Sequence, residues 1–232
     1  MQISICKVLF FANCIIGQLV GYDLHEFSNY AQEPLKLNGD AKPIGDNTME
    51  FFDYLRSSGV EVKNKQTYIE DKAEIDPHGG PMFLDTALTV EQSVSTFFSE
   101  IREVKGMNEL LSSKDAYTVI LAPTNEAMMK LPKKPWAFPR STEHIPSIIA
   151  DVLISRNIKD FVYRHTIAER IADAPFENAK CTDGATVSLL LHSGHAYIEC
   201  RKDDRTFSSK LIKVIQVDNG AIWVIDTCLS YP

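Results

Sequence analysis

The sequence is short of cysteine, short of basic charge, and without the brief motifs that accompany most catalytic sites. Five cysteines in 232 residues cannot form a dense disulfide framework. Cys6 and Cys14 lie in the first 21 residues, which leaves Cys181, Cys200 and Cys228, an odd number with no C-x-x-C spacing. These three allow one disulfide at most, with Cys181 joined to Cys200 or to Cys228. A Cys181–Cys200 link would staple a hairpin and leave Cys228 as the odd thiol. There is no Asn-x-Ser/Thr acceptor, so N-glycosylation is not expected. Gly-x-Ser-x-Gly, His-Glu-x-x-His and the phosphate-cradling glycine loop are also missing, so the sequence offers no acyl-transfer, zinc-protease or nucleotide signature. The formal net charge of −7 gives no basis for a nucleic-acid partner, whose phosphates need a basic face. After the N-terminus no apolar run is long enough to span a bilayer. AIWVIDTCLSYP is short and carries Asp226, so no stable membrane insertion is expected once the signal-like segment 1–21 is removed.

What is present starts with MQISICKVLFFANCIIGQLVGYD. One positive charge, Lys7, precedes an apolar run from Val8 to Val20, with Gly17 and Gly21 as small residues. Residues 1–21 resemble a secretory signal peptide, the alternatives being a buried helix or an uncleaved anchor. Residues 22–81 have little periodicity and are acidic, with 12 Asp and Glu against 6 Lys and Arg from Tyr22 to Leu84. They read as a weakly ordered leader and linker. Within them MEFFDYLRSSG can form one amphipathic helix with Phe51, Phe52 and Leu55 on one side. DPHGGP, residues 76–81, breaks the chain before a folded domain expected over 82–232.

From residue 82 the signals sharpen. LTVEQSVSTFFSEIREVKG places Val90, Val94, Phe97, Phe98, Ile101 and Val104 at helical spacing, with Thr89 and Gln92 as a capping box and Gly106 as the stop. MNELLSS is a further short helical turn. Thr118 to Ala122 reads as a short strand buried on both faces, and Pro123 ends it because it has no ladder N–H to donate. Thr124 or Asn125 can cap the helix that follows, with Glu126 near its positive end. As a short polar side chain at a corner, Asn125 is expected to bond its local backbone. PKKPWAFPRSTEHIP is a proline-rich loop bearing Trp136 and Phe138. SIIADVLISRN and IKDFVYRHTIAER read as two helices, the second with Ile158, Phe161, Val162 and His165 on one face. The remainder is β: TVSLLL and HAYIEC flank a tight turn, Phe207 to Val217 is a long strand, and DNG at 218–220 is a hairpin turn with Asn219 and Gly220 suited to positive φ.

TVILAPTNEAM and NGAIWVID, with a histidine between them, resemble the two motifs of the fasciclin domain. The match covers roughly residues 82–231, through Thr118, Pro123, Thr124 and Asn125 in the first motif and Asn219, Gly220 and Asp226 in the second. The KPWAFP insert looks most like fungal members. The resemblance implies an α+β fold, a fasciclin-like wedge of β-sandwich-like sheets with helices packed along one side. It also implies a non-enzymatic adhesion or interaction role. In several animal members a Tyr-His pair between the motifs is associated with integrin binding. Here His165 matches the histidine, Arg164 takes the preceding place and Tyr163 stands one further back. Trp223 occupies a closing-strand position where the family often has a histidine, which suggests packing.

The residues expected to make contacts are Trp136, Phe138, Tyr163, Arg164 and His165. For His165 two roles are open, a satisfied core histidine or a proton-switched contact in an acidic lumen. His192 and His195 flank the HSGH turn and are too few to complete a tetrahedral metal site, so no metal or cofactor is expected. Asp203 and Asp204 read as a solvated turn. The expected partner is a protein or a wall polysaccharide, met in the secretory pathway. The vacuole lumen is the first location considered, secretion or the cell wall the alternative. The competing functional class is a hydrolase of lumenal or cell-wall substrates, which would need a cleft with converging titratable groups.

Overall fold

The strand expected at Thr118 lies inside a mixed sheet and pairs with the strand of the closing motif. The computed structural model describes residues 48–64, 80–168 and 177–230, all within the compact unit Leu37–Pro232. The signal-like segment 1–21 and most of the leader lie outside the described residues. The strands are β1 Glu61–Lys63, β2 Thr118–Pro123, β3 Thr166–Ile167, β4 Ala179–Lys180, β5 Thr186–His192, β6 His195–Lys202, β7 Arg205–Val217 and β8 Gly220–Ile225. The helices are α1 Thr48–Ser57, α2 Leu84–Val90, α3 Ser95–Arg102, α4 Met107–Ser112, α5 Asn125–Lys130 and α6 Ser147–Arg164. The fold is α+β.

The sheet runs β3-β2-β8-β7-β6-β5-β4, with β1 parallel to the second half of β7. β2 and β8 are parallel neighbours, Thr118 opposite Gly220 and Pro123 opposite Ile225, and every residue of both is buried. That double burial is why TVILAP and AIWVI read as unbroken apolar runs. β5 and β6 instead alternate, with Val187, Leu189, Ala196, Ile198 and Cys200 turned inward. β7 serves both halves. Its first part pairs with β6, an irregularity between Leu211 and Lys213 shifts the register, and its second part pairs with β8.

The α1 helix foreseen in MEFFDYLRSSG is present, but it is not part of a loose leader. Phe51, Phe52, Leu55 and Val60 are buried in the same cluster as Val119, Leu121, Trp223 and Ile225. The Phe51 ring stacks on Trp223 at 6.0 Å and 25°. The packed core therefore includes residues well before the boundary expected at residue 82, because this one apolar helix face covers a sheet face that would otherwise be wet. Trp223 packs there as expected.

Two helical expectations need correction. Thr89 opens no capping box. It sits in the last turn of α2 with its hydroxyl donating to the Asp85 carbonyl, and the chain bends through a 3-10 turn, Gln92–Val94, capped by the Glu91 side chain. The two helices foreseen between 147 and 170 are one up to Arg164. Thr166 and Ile167 then leave it as β3, and the rest of that segment lies outside the described residues.

Candidate functional site

The motif residues act as a clamp. Thr124 caps α5, its hydroxyl accepting from the Ala127 N–H at 3.1 Å. Asn125 does not bond its local backbone. Its Oδ1 accepts from the Thr96 N–H at 2.9 Å and its Nδ2 donates to the Gln92 carbonyl at 2.7 Å. It thereby supplies the cap that α3 lacks, since the residue before α3, Val94, has no side chain able to do so. Pro123 sits at the end of β2, and the Thr124 N–H returns to the Ile225 carbonyl. Asn219 is buried and reaches three places. Its Oδ1 accepts from the Leu84 N–H at 2.9 Å, and its Nδ2 donates to the Leu111 and Ser113 carbonyls at 2.7 and 2.9 Å. One side chain thus ties the start of α2 to the end of α4. Asp218 adds a bond from the Met82 N–H. Asp226 fastens β8 to β7 by accepting from the Ser209 hydroxyl and the Lys210 N–H.

Gly220 is present for closeness, not for the turn. Asp218, Asn219 and Gly220 are not among the residues with positive φ. A Cβ on Gly220 would lie 2.0 Å from the Thr118 carbonyl oxygen and 2.8 Å from Leu84 Cδ1. The Thr118 hydroxyl beside it is buried without a hydrogen-bond partner.

The five expected contact residues separate. His165 is buried. Its Nδ1 bonds the Phe161 carbonyl at 2.8 Å and its Nε2 accepts from the Leu229 N–H at 3.0 Å. The ring also packs against Phe97 and Phe161. Burial pushes its pKa down to about 4, against the opposing Phe161 hydrogen bond. This neutral tautomer satisfies both ring nitrogens, so His165 is a core residue and offers no surface. Phe138 is also buried, its ring edge-on to Phe161 at 6.1 Å. Both expectations of contact fail because these rings complete the aromatic core beneath α6. Arg164 is spent internally, its Nε 2.5 Å from Asp183. Burial alone would raise the Asp183 carboxyl, but bonds from Lys202, Arg164 and the Ala185 N–H hold it below its ordinary value. Tyr163 is half-buried, with Lys159 Nζ 5.1 Å from its ring centroid.

Trp136 alone of the five keeps a large open surface, at 43% exposure. Its loop is firmly held. Asn157, buried in the apolar stripe of α6, donates to the Trp136 and Arg140 carbonyls at 2.9 and 2.8 Å and accepts from the Arg140 N–H. Arg140 pairs with Asp160 at 2.6 Å, and Lys134 Nζ donates to the Met128 carbonyl. Asn157 was missed from the sequence, although a lone polar residue between Leu153 and Phe161 on an apolar stripe was its signal. α6 adds two exposed apolar side chains one turn apart, Ile148 and Val152, at 81% and 45%. That pair lies on the solvent side of α6, away from the buried stripe that holds the Trp136 loop.

Elsewhere, the neighbouring Cys200 thiol and burial push the Cys181 thiol well above its ordinary value, while Cys228 Sγ lies 3.7 Å from Met128 Sδ. Of the pairings open in the sequence, the fold brings together only Cys181 and Cys200, and all three thiols are free and buried. His192 and His195 face each other across the exposed HSGH turn. Among the described residues no group of three or more His, Cys, Asp or Glu could hold a metal ion, and no helix is long and apolar enough to cross a membrane.

Comparison with known proteins places these features. The family model for the fasciclin domain matches residues 92–232. A FAS1 domain-containing protein of Eremothecium gossypii is 32% identical over 191 residues, covering 75% of each chain. One of Saccharomyces cerevisiae is 25% identical over 196 residues, covering 75% of this chain and 69% of the relative. Among solved structures, a FAS1 domain pair from the insect cell adhesion molecule Fasciclin I overlaps 61% of this chain at 18% identity and a TM-score of 0.40, and this chain spans about half of that one, 46%. With both motifs forming the clamp and the family model matching more than half of its length, the chain belongs to the fasciclin domain family.

Proposed function

We propose that this protein is a non-enzymatic interaction module whose contact surface is centred on the exposed Trp136, and that its partner is a protein or a wall polysaccharide in the secretory pathway. The observation that carries this reading is the rigid presentation of Trp136. A large aromatic side chain is left exposed on a loop that Asn157, Arg140 and Lys134 immobilise, so little ordering entropy remains to be lost on binding. Family membership supports an adhesion or interaction role in general. The charged groups fit the same reading. The buried carboxylates Asp183 and Glu91 are each held by cations, Arg164 with Lys202 and Lys213 respectively. Such pairing suits a structural role better than proton transfer.

The test is capture on immobilised protein from solubilised wall polysaccharide and from secretory-pathway extracts, the vacuole lumen first and the secreted and wall fractions second. It compares the natural chain with a Trp136→Ala variant of unchanged thermal stability. Capture that disappears in the variant supports the surface. Capture that persists moves the contact elsewhere, and no capture from any fraction favours a purely structural role.

A further inference from the structure

We propose that His192 and His195 form a surface site for a divalent transition-metal ion, Cu2+ before Ni2+, held by one nitrogen of each ring with its other positions open. The two residues are directly opposite each other in the β5–β6 register. Directly opposite residues of an antiparallel pair project to the same side, with Cβ atoms about 5 Å apart. The alternation of the hairpin says which side. Leu189, Ala196 and Ile198 are buried on the inner face, so Leu190, Tyr197, His192 and His195 belong to the outer one. Both histidines are exposed. From Cβ atoms at that separation, two imidazoles in ordinary rotamers reach one ion at about 2.0 Å each, which puts the ligating nitrogens about 2.9 Å apart at adjacent corners.

The support is fixed in advance. The ladder from Thr186–Arg201 to His192–His195 runs through seven pairs without a shift. Ser193 and Gly194 close it with φ of 52° and 74°, both positive as a primed two-residue hairpin turn requires. These two residues account for the shape of the turn, so nothing in its backbone calls for imidazole on either side. The spacing of the two side chains is set before a metal arrives, and only ring rotations remain to be lost on binding. His144 is also exposed, but it stands in a turn outside any strand pair and serves as an internal control.

The donor set identifies the ion. Imidazole nitrogen suits copper, nickel and zinc, whereas magnesium and calcium take oxygen donors. A structural zinc site needs four protein donors, and among the described residues no third His, Cys, Asp or Glu joins this pair. A tetragonal ion asks less, since two adjacent nitrogens fill half of its plane and water takes the rest. Of the ions that accept this geometry, Cu2+ binds a given nitrogen set more tightly than Ni2+. The net charge of −7 favours the approach of a cation. The open positions leave the ion exchangeable and able to accept a donor from another molecule.

Titration of the full chain with Cu2+ alone, followed by NMR and by electron paramagnetic resonance, tests this. The ring resonances of His192 and His195 are expected to broaden together and before those of His144, with two nitrogen donors in the paramagnetic spectrum. His192→Asn and His195→Asn each remove the chelate and should weaken this binding at least about tenfold. His144→Asn should leave it unchanged, and Ni2+ should bind the same pair more weakly. Broadening of the two rings at different metal concentrations, a response no stronger than that of His144, tighter binding of Ni2+ than of Cu2+, or single variants that hold Cu2+ as tightly as the natural chain would overturn the proposal. If a variant does not fold, the paired broadening on the natural chain decides alone.

Discussion

Of the three two-residue hairpin turns in the sheet, two contrast: Ser193–Gly194 between β5 and β6 and Asp218–Asn219 between β7 and β8. The first has positive φ at both residues, exposed side chains and open space around its glycine. Its own residues account for its shape. The second has no positive φ, a buried asparagine bonded to two helices, and a following glycine pressed against the Thr118 carbonyl. Its shape is imposed by what surrounds it. Both are made of residues common in turns, Ser-Gly and Asp-Asn, and local chemistry explains only the first.

The glycines sharpen the contrast most. Gly220→Ala should cost more than about 3 kcal/mol, because the added methyl overlaps main chain that cannot move without separating β2 from β8. Denaturant unfolding that showed a cost below 1 kcal/mol would remove the close-approach account. Asn219→Ala should cost about 3 kcal/mol, since it leaves the Leu84 N–H and the Leu111 carbonyl buried without partners. Loss of amide protection at Leu84 is the accompanying signature.

His165 tests the tertiary side of the comparison by pH. The folded chain keeps this imidazole neutral, with a pKa of about 4 against an ordinary 6.5. Below pH 6.5 the unfolded chain binds a proton that the folded chain refuses, so stability falls as pH drops from 6.5 towards 4 and levels off beyond. The expected loss from this group is about 2 kcal/mol between pH 7 and pH 5. Urea midpoints measured across that range check it, and a slope that persists in His165→Gln would assign the effect to other groups. Acidification therefore costs this domain stability through His165.

Asn125→Ala should cost about 1–2 kcal/mol, with the first turn of α3, not of α5, losing protection in hydrogen exchange. Fraying at α5 instead would return Asn125 to the local role first expected of it. Gly194→Ala closes the series at about 1 kcal/mol, a cost of positive φ alone since nothing lies within 4 Å of the new methyl. A larger loss there would mean that the exposed turn also has tertiary partners.

The expectations that held rest on strong local patterns. Unbroken burial marked β2 and β8, alternation marked β5 and β6, and the Thr124 cap stood at its strand-to-helix corner. Those that failed needed knowledge of a distant partner. Phe138 and His165 looked available because Phe161 and Phe97 are not their sequence neighbours. Phe51 looked like part of a leader because Trp223 lies at the other end of the chain. Of the candidate site, Trp136 was legible as an aromatic in a proline-rich loop. Asn157, which fixes that loop, was not.

By itself the sequence determined the α+β class, the strands of the two motifs, the exposed turn at Ser193–Gly194 and the family. Each of these depends on spacing, burial periodicity or φ preference within a few residues. Tertiary structure alone decided which aromatics are surface and which are core, which helix Asn125 caps, and why Gly220 must be glycine. Those outcomes depend on contacts between segments far apart in the chain, where the free energy belongs to the pair and neither partner's local sequence carries it.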